Sequence, residues 1–185
     1  MLRRVPSVRG AMIHLVLLYS LLAALYVLAL QLAALIDNLG PSGFGALLAM
    51  SGLGMAIGAV MIAQLGHRFS RRRLTAAGLG TITWTLVLLS QLRGSLALTL
   101  SLCGILGIGA ALVAIPAQTT IQEETPETER GRVFGLQNNL INIALSLPLV
   151  LAGTLVSSIG LQPVLWLLAG LALVAALIER PWQRC

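Results

Sequence analysis

Four arginines and a histidine crowd into the seven residues His67–Arg73 (HRFSRRR), in a chain that is otherwise mostly apolar. Planar guanidinium groups at this density suit phosphate or carboxylate oxygens. The other polar side chains in long apolar stretches are few: His14, Tyr19, Tyr26 and Gln31 early in the chain, then Gln137, Asn138, Asn139, Asn142 and Ser146. Amides in such a setting bind by hydrogen bonding, either to another helix or to a solute in a polar cavity. Acid–base chemistry has little to work with. Of the six carboxylates, Asp37 and Glu179 lie at the ends of apolar runs and the other four fall between Glu123 and Glu129. No HExxH, P-loop or GxSxG pattern occurs, and neither LSQ nor LSL places a serine in the glycine-flanked turn of an intramembrane protease. Cys103 and Cys185 form no disulfide or metal framework. These residues predict no enzyme and no cofactor.

Composition identifies the medium. The chain has 185 residues, 57% hydrophobic and only 10% charged, where a soluble domain carries about a quarter charged. The net charge of +6 comes from twelve arginines, without lysine, against six acids. No aromatic-plus-basic stripe accompanies them, which excludes a nucleic-acid surface. A spanning helix needs about 20 apolar residues. Six stretches meet this: Ala11–Ile36, Phe44–Gln64, Leu74–Leu92, Ser95–Gln118, Phe134–Ile159 and Gln162–Ile178. They are separated by DNLGPSG, the arginine loop, QLRGS, the polar IQEETPETERGR and SIGLQP. Period-2 alternation is missing, so the prediction is an all-α membrane protein with six transmembrane helices. The bundle covers residues 11–180, flanked by cytoplasmic tails at 1–10 and 181–185.

The arginines orient it. Arg3, Arg4 and Arg9, then Arg68 and Arg71–Arg73, then Arg130 and Arg132, then Arg180 and Arg184 all fall on one side of this pattern, with only Arg93 on the other. Short cytoplasmic loops retain positive charge, which puts both termini in the cytoplasm of a plasma (inner) membrane protein. Small residues set the packing surfaces. Gly54 and Gly58 on the second helix, and Gly104 and Gly107 on the fourth, are candidate sites of close helix approach. Gln31, Asn138 and Asn142 are candidate cavity-lining residues. Asn138 and Asn142 share a face one turn apart.

At this point the loop carries more than a topology signal. AQLGHRFSRRRL resembles the motif G-x-L-A-D-R-x-G-R-R/K of the major facilitator superfamily, with Leu65, Arg68, Arg71 and Arg72 matching and His67 standing where the family has aspartate. ETPETERGRVFGLQNNLINIALSLPLVLAG and YVLALQLAALIDNLGPSGFGALLAMSGLGMAIGA resemble later segments of its efflux-type members. The resemblance covers nearly the whole chain but only the C-terminal six-helix half of that fold. It implies secondary transport of a small solute, by efflux, with a separately supplied N-terminal half or a second copy of the chain as partner. The alternative it leaves is a truncated remnant or regulatory membrane subunit that moves nothing. Membrane lipid is the expected contact of Arg68, Arg71 and Arg72.

Overall fold

The computed structural model describes residues 6–35, 40–91 and 95–178. Asp37, Arg93, Glu179 and the arginines at 3, 4, 180 and 184 lie outside them. Six α-helices form among the described residues: α1 (Pro6–Leu35), α2 (Gly40–Leu65), α3 (Arg71–Gln91), α4 (Leu96–Glu124), α5 (Arg130–Ile159) and α6 (Leu161–Ile178). Short 3-10 turns at Gly66–Arg68 and Glu127–Glu129 join α2 to α3 and α4 to α5. Five of the helices are long and apolar enough to cross a membrane, and α6 is a shorter apolar helix.

All six helices run beyond their apolar stretches, α2 starting at Gly40 and α3 at Arg71. α1 begins at Pro6, where a proline in the first turn forfeits no helical hydrogen bond. α4 continues through Gln118–Glu124 and stops because Pro126 pushes Thr125 into extended backbone, at φ −94° and ψ 119°. α5 starts at Arg130 rather than at Phe134, so Asn138 and Asn142 sit two to three turns inside it. At 30 residues, α1 and α5 are each about 45 Å long against a hydrocarbon core of about 30 Å. Tilt, or ends that reach the headgroup layer, takes up the difference.

The interior is leucine and alanine. Leu18, Leu21, Leu28, Leu79, Leu86, Ala110, Val113 and Leu165 build one core shared by α1, α3, α4 and α6. A smaller cluster of Val8, Met12, Leu15, Ala117, Ile121 and Val133 closes the end that carries the arginines. α2 supplies no member of either cluster and packs on α4, while α5 packs mainly on α1, and α6 on α3. The outside is apolar too: Leu53, Val60, Trp84, Val150 and Val174 are more than half exposed. Water would not tolerate so continuous an apolar surface, whereas lipid solvates it.

The threonine hydroxyls of α3 are satisfied locally. The hydroxyls of Thr75, Thr81, Thr83 and Thr85 each donate to the carbonyl one turn back, at 2.7–3.0 Å. That bond lets Thr85 be fully buried without an orphaned donor.

Candidate functional site

α4 is the central strut, and its glycines explain how α2 is held without a leucine interface. A Cβ on Gly54 would overlap the Gly104 carbonyl, standing 2.8 Å from its carbon, and one on Gly58 would meet the Ala111 Cβ at 2.7 Å. A Cβ on Gly107 would overlap the Ser51 carbonyl and approach the Met55 nitrogen at 2.9 Å. The backbones of α2 and α4 are thus in direct contact, and the Ser51 hydroxyl donates to the Cys103 carbonyl at 3.2 Å across the seam. Gly104 differs from its neighbours, since a Cβ there meets only Met50 at 3.7 Å. The opposite side of α4 approaches α3 in the same way, with a Cβ on Gly78 falling 2.7 Å from the Gly109 carbonyl oxygen. Gly78 does not stand out in the sequence, because the residues four positions either side of it, Leu74 and Ile82, are large.

This seam forms one wall of an open cleft of about 570 Å³ between α1, α2, α4 and α5. Its floor is α1, from Tyr19 to Leu32, and α5 contributes Leu145, Ser146 and Leu149. Tyr26 meets Phe44 of α2 edge to face, with ring centroids 5.1 Å apart. Among the described residues no charged side chain lines the cleft, and the polar groups there are Tyr19, Tyr26, Ser51, Cys103 and Ser146. Such a surface accommodates an apolar body with one or two hydrogen-bonding groups. Tyr19, Tyr26 and Ser146 were flagged in the sequence. Ser51 stands out there only as a small packing residue, and Cys103 and the leucines not at all, since nothing in a leucine distinguishes a cleft from a lipid contact.

The proposed amide site is arranged differently. Asn138 and Asn142 are exposed on α5, and Gln31 is half-buried on α1. None of the three lines the cleft. Asn142 is one turn from Ser146, whose hydroxyl donates to the Asn142 carbonyl at 2.8 Å, so a polar stripe leads along α5 into the cleft wall. Gln137 points inward instead: its Nε2 donates to Gln118 Oε1 of α4 at 3.0 Å, leaving Gln137 Oε1 buried without a partner.

At the arginine-bearing end, Leu65 closes α2, its side chain lying outside the described ones, and Arg68 is exposed in the following turn. Arg71 and Arg72 open α3. Arg71 forms an ion pair with Glu123 of α4 and approaches Thr120 Oγ1 at 3.4 Å. Spacing could not reveal this pair, because its members stand 52 residues apart. Among the described residues, no group of three His, Cys, Asp or Glu is gathered as a metal site.

Comparison with known proteins places these features. A multidrug efflux pump, Tap, of Mycolicibacterium fortuitum is 30% identical over 126 residues, which is 68% of this chain and 31% of that protein. The chain thus matches less than a third of that relative's length. The family model described as Major Facilitator Superfamily matches residues 13–182. With its long apolar helices and its lipid-compatible surface, the chain is a multi-pass membrane protein belonging to the Major Facilitator Superfamily.

Proposed function

We infer that this chain is one six-helix half of a secondary transporter that exports a small, largely apolar solute. The observation that carries this is the uncharged cleft bounded by α2 and α5, the two most weakly buried of the long helices. An open cleft whose side walls are mostly exposed is what a half-transporter would offer to a second bundle. Asn138 and Asn142 then line the face that meets the partner, whether a separately supplied N-terminal half or a second copy. The name of the Tap relative supports efflux as the direction, and the lack of charge in the cleft supports a lipophilic solute. No catalytic step is involved.

The reading includes six crossings with both termini in the cytoplasm. At 18 residues α6 spans about 27 Å, enough for the core with slight thinning. In a variant lacking native cysteines, a cysteine at Gly160 should react with an impermeant thiol reagent in intact cells, and one at Ser70 should not. Reaction at Ser70 alone would invert the topology.

The functional test is accumulation of lipophilic dyes in cells lacking their own exporters. Expression of the chain should lower accumulation, and Leu149→Trp, which fills the cleft, should restore it. Unchanged accumulation by a correctly inserted chain, alone and with a candidate N-terminal half, would leave the non-transporting subunit as the answer. Mass measurement in mild detergent distinguishes a dimer from a monomer awaiting another partner.

A further inference from the structure

A second cavity, of about 680 Å³, opens at the arginine-bearing end between the first turns of α1 and α3 and the last turns of α4. Its lining is divided. Arg9, Arg71 and Arg72 supply cationic groups, with His14 beside them and the hydroxyls of Thr75 and Thr120 between. Gly10, Ala11, Pro116 and Ala117 form an apolar wall that runs toward Ile13, which is itself half exposed. Three arginines on the lining face one carboxylate, Glu124, whose charge a neutral hydroxyl does not cancel. Glu124 accepts a hydrogen bond from the Ser7 hydroxyl, and Glu123, on the adjoining turn, is paired with Arg71. The N-terminus of α3 also faces the space, its partial positive charge set against the partial negative charge at the end of α4.

Depth and chemistry together select a ligand. At about 45 Å, α1 is longer than a core of about 30 Å, and its cationic first turns are the end that the lipid phosphates attract. We propose that this cavity binds the phosphodiester of an anionic phospholipid, with the phosphate held by Arg9 and Arg72 and the acyl chains lying along Ile13 and the α1–α4 wall. Arg71, anchored by Glu123, forms the rim. A free phosphate ion matches the arginines but leaves the apolar wall without a partner. This site is separate from the uncharged cleft, and it does not depend on transport or on which side of the membrane the arginines face.

The test uses the purified full chain in a neutral detergent, with phosphatidylglycerol, phosphatidylcholine of the same acyl chains, and inorganic phosphate as probes. Phosphatidylglycerol should raise the unfolding temperature in a saturable manner, while phosphatidylcholine and inorganic phosphate should not. In R9Q/R72Q the lipid should bind about 30-fold more weakly, from roughly 1 kcal/mol per arginine. In R130Q/R132Q, which loses the same charge outside the cavity, binding should be unchanged. Equal loss in both double variants would reduce the effect to general surface charge and overturn the site. Equal stabilisation by phosphatidylcholine would overturn it as well, and a full effect from inorganic phosphate would replace the lipid by a free anion. If R9Q/R72Q does not fold, native mass spectrometry of the wild-type chain decides. One phosphatidylglycerol retained at an energy that strips phosphatidylcholine supports the site, and equal stripping refutes it.

Discussion

Replacing Gly54 or Gly104 by alanine tests whether backbone contact, rather than small-residue content, holds α2 to α4. Both glycines lie on the same seam and look equivalent in sequence, but only one is crowded. A methyl group on Gly54 would come within 2.8 Å of the Gly104 carbonyl carbon, and closer still to its oxygen, where ordinary contact begins at 3.4 Å. The two helices must therefore part by more than half an ångström, opening the Gly58–Ala111 and Gly107–Ser51 contacts along with it. Overpacking of this kind costs about 1–3 kcal/mol. The better helix propensity of alanine offsets up to about 1 kcal/mol of that. At Gly104 the same methyl group finds Met50 at 3.7 Å, an ordinary contact, so only the propensity gain remains. Reversible unfolding in mixed detergent micelles should show Gly54→Ala destabilised by about 1–2 kcal/mol and Gly104→Ala unchanged or slightly stabilised. Equal stability of the two variants would refute the argument from backbone contact.

Gly160, between α5 and α6, should resist substitution for a different reason. Nothing lies within 4 Å of a Cβ there, but φ +87° with ψ 171° belongs to a region populated almost only by glycine. Gly160→Ala should cost about 1–3 kcal/mol, and Gly153→Ala, in open helix, should not destabilise, as unfolding curves would show. At the Gln118–Gln137 bond, Gln137→Leu strands one amide, so Gln118→Leu/Gln137→Leu should be the more stable variant by about 1 kcal/mol, read from the same curves. The Arg71–Glu123 pair is largely exposed, at 44% and 58%. A double-mutant cycle through Arg71→Ala and Glu123→Ala should give a coupling no larger than about 1 kcal/mol, shrinking with added salt.

Where a helix crosses lipid was legible because apolar length is a direct requirement of the bilayer, and Gly160 and Pro126 advertise their turns by residue type. Where a helix ends was less so. TTIQEE after Gln118 is polar, yet its backbone keeps its hydrogen bonds by remaining helical until Pro126 forbids it. The glycine seam was visible as spacing, although which glycine bears the close approach depends on the rotation of α2 against α4. The amides draw attention to α5 but do not reveal the cleft, whose walls are leucines indistinguishable from those that face lipid. The Arg71–Glu123 pair and the divided cavity beside it depend on long-range neighbours that no local pattern encodes.

The order in which the helices find one another has a consequence for synthesis. α2 and α3 are joined by a short turn but pack on α4, and α1 finds its main neighbours in α4 and α5. When the first three helices have entered the bilayer, few of their permanent contacts exist. Their glycine and alanine faces must remain against lipid until α4 arrives, which lipid permits because it exerts no hydrophobic drive to close them. Assembly is thus late and concerted rather than hairpin by hairpin. A nascent chain halted after Gln91 would expose the seam at Gly54, Gly58 and Gly78 together, a surface suited to recognition by membrane quality control.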